Sequence, residues 1–186
     1  INDVVGAADA FTATPGAVRT NGSVLVNAWL AQYQGVEHLI LNGTAADGDS
    51  LAINDVGLGD NTWNVSAGSN GDLVQIDDRE SIEYRTFNTV ALNNTTPSSD
   101  VFRVAPTSLV NYLTRFTVNG DAGPAPTDKL ELIGTNNADS FLQTGVNQFT
   151  VNARAIDFNA ISTLQLSGLQ GTDTFSLSYI TDTDGD

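Results

Sequence analysis

The sequence predicts an all-β protein, and three observations carry that class. Nearly every apolar segment is four to six residues long, β-branched or aromatic, and bounded by Gly, Asn, Asp, Ser or Thr. Phe11-Thr12-Ala13-Thr14 and Phe175-Ser176-Leu177-Ser178-Tyr179 alternate with the period of a strand. Stretches of helical period rich in Ala, Leu, Glu and Lys are absent.

In chain order the strand signals begin at Phe11–Thr14 and continue at Val24–Val26, Leu39–Leu41 and Leu73–Ile76. They go on through Phe116–Val118, Leu130–Ile133 and Phe149–Val151 to Phe175–Tyr179. Asn-Gly falls at 21–22, 42–43, 70–71 and 119–120, each a turn signal because both residues tolerate left-handed backbone. One segment, Leu109-Val110-Asn111-Tyr112-Leu113, suits a short helix and equally an extra strand or a decorated loop.

Three short segments recur in the same order. Tyr33-Gln34-Gly35-Val36-Glu37-His38-Leu39-Ile40-Leu41-Asn42-Gly43 returns from Tyr84 to Asn94 and again from Phe158 to Gly168. The shared pattern is aromatic-x-x-apolar-x-x-apolar-x-Leu-x-Gly/Asn, and its aromatic positions lie 51 and then 74 residues apart. Acidic strand openers follow at Asp49, Asp100 and Asp173, spaced 51 and 73 residues, so two markers agree. A third element, Asp9-Ala10-Phe11, Asn61-Thr62-Trp63 and Asp139-Ser140-Phe141, precedes each copy. The expectation is one β-repeat domain over 1–186 with units near 1–58, 59–104 and 120–180, an insertion at 105–119 and an acidic tail at 181–186. Repeated strand-turn-strand units point to a parallel β-solenoid-like stack; one or two β-sandwich domains are the alternative.

Composition narrows the function. Hydrophobic content of 40% supplies enough apolar surface for a folded core. No apolar run approaches the roughly 20 residues of a membrane-spanning helix. Ile1-Asn2-Asp3-Val4 lacks the basic and apolar regions of a signal peptide, and the chain has no Met, which reads as a processed or excised segment. Seven basic against 22 acidic residues give a net charge of −15, which argues against nucleic acid and anionic membrane as partners and favours cations, calcium first. Cys is absent, so neither disulfides nor thiolate metal sites are available.

Gly168-Leu169-Gln170-Gly171-Thr172-Asp173-Thr174-Phe175 resembles the calcium-binding nonapeptide of repeats-in-toxin proteins, with Leu169 in place of the second Gly. Weaker echoes are Gly43 to Leu51, which holds Asp49, and Gly120-Asp121-Ala122-Gly123 extended to Asp128-Lys129-Leu130. In that family turn carbonyls and the Asp hold calcium between stacked rungs, so the resemblance implies Asp173, Asp49 and Asp128 as candidate ligands. The alternative is that these Asp residues cap turns by accepting backbone amides. More broadly the chain resembles the long, acidic, repetitive surface proteins of planctomycetes and cyanobacteria, through Gly35-Val36-Glu37-His38-Leu39-Ile40-Leu41-Asn42-Gly43 and Ala8-Asp9-Ala10-Phe11. That resemblance implies a secreted or cell-surface location and assembly. The terminus Asp182-Thr183-Asp184-Gly185-Asp186 looks like the start of a calcium loop of the EF-hand or dockerin kind, without the downstream Glu; a frayed acidic tail or linker is its other reading.

Catalytic chemistry finds little support. The single His38 takes a repeat position held by Thr89 and Thr163 elsewhere, which reads as structural. Asp77, Asp78 and Glu80 are the carboxylates closest to a glycosidase pair, yet Asp77-Asp78-Arg79-Glu80 reads as a solvated turn. Trp63 falls on a repeat position and reads as core, whereas Trp29 breaks the repeat and suits either a sugar-stacking or interface surface or burial. The expected function is therefore a non-enzymatic extracellular structural protein, a filament, fibre or surface-layer component that self-associates or packs on neighbouring repeats, with calcium as candidate structural ion. An adhesive or glycan-binding module and a polysaccharide-active β-helix enzyme are the other readings. Val4 to Asp9 resembles Leu132 to Asp139, as though the start continues a preceding unit in cis or from another subunit.

Overall fold

The computed structural model describes residues 1–2, 6–16, 20–44, 46–55, 57, 59–121 and 127–177. Their strands are β1 (Ala10–Pro15), β2 (Asn21–Val26), β3 (Trp29–Gln34), β4 (His38–Asn42), β5 (Ser50–Asn54), β6 (Thr62–Ala67), β7 (Asp72–Ile76), β8 (Ser81–Arg85) and β9 (Phe87–Asn93). After them come β10 (Val101–Val104), β11 (Tyr112–Asn119), β12 (Lys129–Ile133), β13 (Ser140–Gly145), β14 (Gln148–Val151), β15 (Arg154–Asn159), β16 (Thr163–Ser167) and β17 (Thr174–Ser176). Among the described residues there is no α-helix; a single 3-10 turn spans Pro106–Ser108.

The strands form two mixed sheets that do not close into a barrel. The larger has ten strands in the order β17-β13-β14-β15-β11-β9-β5-β1-β2-β3, the smaller seven in the order β16-β12-β10-β6-β7-β8-β4. From β3 onward the chain crosses from sheet to sheet at most connections, so strands adjacent within a sheet are usually parallel. Examples are β1 with β5, β5 with β9, β9 with β11, and β10 with β12. Three antiparallel meanders, β1–β3, β6–β8 and β13–β15, interrupt that parallel order. Two facing sheets fit the sandwich alternative; the meanders set the molecule apart from a plain coil of parallel rungs.

Period-two alternation produces the core. In β5 Leu51 and Ile53 face inward at 2% and 0% exposure, and Val90 and Leu92 of β9 and Phe116 and Val118 of β11 continue the same rows. Trp63 and Phe102 pack on neighbouring parallel strands of the smaller sheet with ring centroids 5.1 Å apart. One hydrophobic cluster draws on both sheets, including Leu41, Trp63, Tyr84 and Leu130 from one and Phe11, Phe87, Phe141 and Phe149 from the other.

The segment 105–119 is part of the sheet. Leu109 is extended and no helix forms at 109–113, because the carboxylate of buried Asp72 accepts the amides of Val110 (3.0 Å) and Asn111 (2.8 Å) and fixes an extended entry to β11. Tyr112, Phe116 and Val118 then point inward, and β11 lies in the middle of the ten-stranded sheet between β9 and β15. Of the Asn-Gly pairs, Asn70-Gly71 marks a hairpin, closed by the Gly68 amide on the Gly71 carbonyl (2.7 Å). Asn21-Gly22 opens β2, and Gly43 and Gly120 directly follow β4 and β11.

Candidate functional site

The acidic strand openers share one local geometry. Asp49, Asp100 and Asp128 are fully buried, and each carboxylate is filled by hydrogen bonds from amides and side chains. Asp49 accepts the Asp9 amide on Oδ1 (2.8 Å) and the Thr44 amide on Oδ2 (2.7 Å). Asp100 accepts the Asn61 amide (3.0 Å), the Ser98 hydroxyl (2.9 Å) and the Trp63 indole N–H (2.9 Å). Asp128 accepts the Asp100 amide (2.7 Å), the Asp121 amide and the Asn94 side chain. Asp173 accepts the Asp139 amide (3.0 Å), and Asp139 takes the Thr135 amide (2.7 Å). The carboxylate ahead of one strand thus holds the amide of the matching residue ahead of its parallel neighbour, which sets register between strands.

A glycine makes room for most of these carboxylates. A Cβ on Gly43 would lie 2.9 Å from Asp49 Oδ2, one on Gly120 2.5 Å from Asp128 Oδ2, and one on Gly134 2.5 Å from Asp139 Oδ2; Gly168 stands the same way against Asp173. None of the four has the left-handed backbone that calls for glycine in a turn, so their value here is space. Asn94 takes the corresponding place before Asp100 and bonds to the next aspartate in the ladder, Asp128. The recurrent Gly-then-Asp spacing is visible in the sequence and was the signal for this device.

Of the calcium candidates, Asp49 and Asp128 are the buried amide acceptors just described, and Asp173 is a partly exposed one. They cap three separate connections. Asp182, Asp184 and Asp186 lie outside the described residues. Among the described residues no group of three or more His, Cys, Asp or Glu side chains is arranged to hold a metal ion. Burial pushes the Asp100 carboxyl up from its ordinary value, against the pull of its Trp63, Asn61 and Ser98 donors.

The remaining polar candidates are also drawn into the fold. His38 places Nδ1 2.6 Å from Ser81 Oγ and Nε2 3.0 Å from Glu83 Oε2. Burial opposes the charge on Glu83, yet the Asn70 amide and the His38 ring hold its carboxyl below the ordinary glutamate value. The run 77–80 is a solvated turn only in its first half. Asp77 is exposed and caps β6 through the Thr62 amide (2.8 Å), and Asp78 is exposed. Arg79 turns inward to an ion pair with buried Asp55 and a 2.8 Å bond to Asn61 Oδ1, and Glu80 is 2% exposed and bonded to the Tyr33 hydroxyl. The sequence reading missed this inward half because an Asp-Asp-Arg-Glu string looks solvated until Asp55 and Tyr33 are known to face it.

The one surface that stands out lies on β3. All its residues except the half-buried Tyr33 are exposed, Trp29 at 84% and Leu30 at 61%. Trp29 pairs with Val26, which pairs with Phe11, so its ring stands on the face of the sheet that elsewhere makes the core. Gly22 leaves space for the Tyr33 hydroxyl to reach Glu80, whose second oxygen is buried without a hydrogen-bond partner. Asn21, Gly22, Gln32, Tyr33 and Gln34 line an open hollow of about 480 Å³. This surface is amide-rich and aromatic, and carries no ionic group.

No protein-family model, curated protein or solved structure matches the chain.

Proposed function

We propose that the chain is a non-enzymatic structural segment of an extracellular assembly, a filament, fibre or surface-layer component of a bacterial cell surface, in which repeated β-units continue one another. The observation that carries this reading is the direction of the terminal strands. β3 and β4 at one end, and β16 and β17 at the other, share the direction of every strand between them except β2, β7 and β14, the middle strands of the three meanders. A strand order that keeps its direction to both ends can be extended by another unit of the same kind, as stacked repeats are. The resemblance to acidic repetitive surface proteins and the net charge of −15 support the location. The aspartate–amide contacts serve the fold, and calcium enters the proposal through the net charge and the acidic run Asp182 to Asp186.

Light scattering in EDTA, and then with millimolar calcium added, tests both parts. Growth in mass with protein concentration supports assembly, and further growth on adding calcium supports calcium as its structural ion. A constant monomer mass in both conditions refutes the assembly reading.

One observation favours a second reading, an adhesive or carbohydrate-binding module: Trp29 is 84% exposed on a strand that also carries Gln32 and Gln34. An aromatic face beside side-chain amides is the pairing that sugars use. Binding to a glycan panel that disappears in Trp29→Ala, with the mass staying monomeric, would establish that reading instead.

A further inference from the structure

We infer that the outer edge of β3 is the docking site for β17 of a second copy of this chain, joined in parallel so that the ten-stranded sheet runs on from one molecule into the next. The inference rests on the assembly reading and names the surfaces that would carry it.

Strand direction permits the join. β3 is antiparallel to β2, which is antiparallel to β1, so β3 runs with β1 and hence with β5, β9, β11 and β15. β17 is parallel to β13, which two antiparallel steps also align with β15. A copy displaced along the sheet therefore brings its β17 beside β3 in the parallel pairing already used between five neighbouring pairs of this sheet. Two β3 edges meeting each other would instead be antiparallel, so the contact is head-to-tail and repeats without closing.

The backbone groups on the two edges also match. The Thr174 amide bonds the Asp139 carbonyl (2.8 Å), so Thr174 faces β13 and the amide and carbonyl of Phe175 face the open side. In the hairpin of β2 and β3 the two-residue connection Asn27–Ala28 makes Val26 and Trp29 the closing hydrogen-bonded pair. The backbone groups of Leu30, Gln32 and Gln34 therefore point outward. Each edge offers the alternate residues that a parallel partner needs.

The side chains agree. Trp29 stands uncovered on the core-facing side of β3. On the same side of β17, Phe175 is 51% exposed and stacked on fully buried Phe141 at 4.8 Å. Joining the edges continues that aromatic row and covers both rings.

Charge points the same way. Sheet edges are ordinarily guarded by charged residues, proline or bulges. This chain carries 29 acidic and basic residues, yet none lies between Arg19 and Glu37 or between Asp173 and Asp182, the two segments that hold β3 and β17. Of the smaller sheet's two edges, β16 also lies in a charge-free stretch, between Asp157 and Asp173, whereas β4 follows Glu37, begins with His38, and is partly covered by Ile1–Asn2, whose terminal amine bonds the Ile40 carbonyl (2.8 Å).

The chain has no Cys, so single-cysteine variants report contacts cleanly. Leu30→Cys and Ser176→Cys proteins, mixed and treated with a short bifunctional thiol linker, should give mainly the mixed dimer, and a chain carrying both should give a ladder of larger products. Leu30→Asp, which places an unpaired charge in a contact that has none to match it, should weaken concentration-dependent association at least about tenfold. Gln32→Pro, which removes an outward amide and leaves the β2 pairing intact, should weaken it as well. Leu30→Cys linking to itself as readily as to Ser176→Cys overturns the head-to-tail docking while leaving assembly standing. So does mass growth without any β3–β17 product. A monomer at every concentration, with no cross-linking, overturns both the docking and the assembly reading.

Discussion

Strands β5 and β3 belong to one sheet and meet opposite fates. β5 has parallel neighbours on both sides, Asp49 ahead of it holding the Asp9 amide, and Leu51 and Ile53 sealed at 2% and 0% exposure. β3 sits three places further along, paired on one side only, with Trp29 at 84% exposure on the very face where Leu51 is buried. Hydrophobicity does not separate them, since tryptophan is the larger apolar group. Cover does: the larger sheet has ten strands and the smaller has seven, so the larger sheet has strands left over. The lesson is that the carboxylate-capped centre makes the fold, while the charge-free edge is left exposed.

The comparison breaks most visibly at the centre. Asp128→Ala leaves the buried amide of Asp100 and the part-buried amide of Asp121 without their acceptor and should cost about 3–5 kcal/mol in chemical denaturation, at roughly 1–3 kcal/mol for each orphaned group. Gly134→Ala should cost about 2 kcal/mol, because its Cβ must displace the Asp139 carboxylate, which lies 2.5 Å away and holds the Thr135 amide.

A smaller effect concerns pH. The Glu83 carboxyl is held below the ordinary glutamate value, so its stabilising contribution is full above that value and drains away as pH falls through the folded one. Glu83→Gln should therefore flatten the acid limb of a stability curve measured by urea midpoints at stepped pH. Asp100 works in the opposite sense: its carboxyl is pushed up by burial, so its contribution is present at low pH and is lost as pH rises. The smallest effect sharpens the contrast. Trp29→Ala should change the stability of the isolated chain by less than about 0.5 kcal/mol, since the ring is exposed, while Trp63→Ala, with its ring fully buried, should cost about 3–5 kcal/mol.

Much of the fold was legible because alternation and turn chemistry are local. Val24–Val26, Leu39–Leu41, Leu73–Ile76, Phe116–Val118 and Phe149–Val151 all lie in strands, and Trp63, Tyr84 and Phe158 are core as their repeat positions implied. Pairing was not legible, because a parallel neighbour and an antiparallel one ask the same period of a strand. The meanders β1–β3, β6–β8 and β13–β15 thus went unseen in a reading built on parallel coils. The segment 105–119 read as inserted because its Asp72 anchor lies 38 residues from Val110. At the candidate site the residue types were visible and their distant partners were not: Asp49 and Asp128 stood out as acidic turn residues, while the amides of Asp9 and Asp100, just ahead of β1 and β10, lie 40 and 28 residues away from them. Exposure of Trp29 depends on where the opposite sheet ends, which no local pattern encodes.

Amide hydrogen exchange followed as a function of protein concentration compares the two strands in a single experiment. Leu51 and Ile53 of β5 should stay protected at every concentration. The outward amides of Leu30, Gln32 and Gln34 should exchange freely in dilute protein and gain protection, together with Phe175, as concentration rises, as expected for docking of β17 on β3. Exchange at β3 and β17 that stays fast and unchanged up to concentrations where scattering reports larger particles would contradict it, because assembly would then proceed through some other surface.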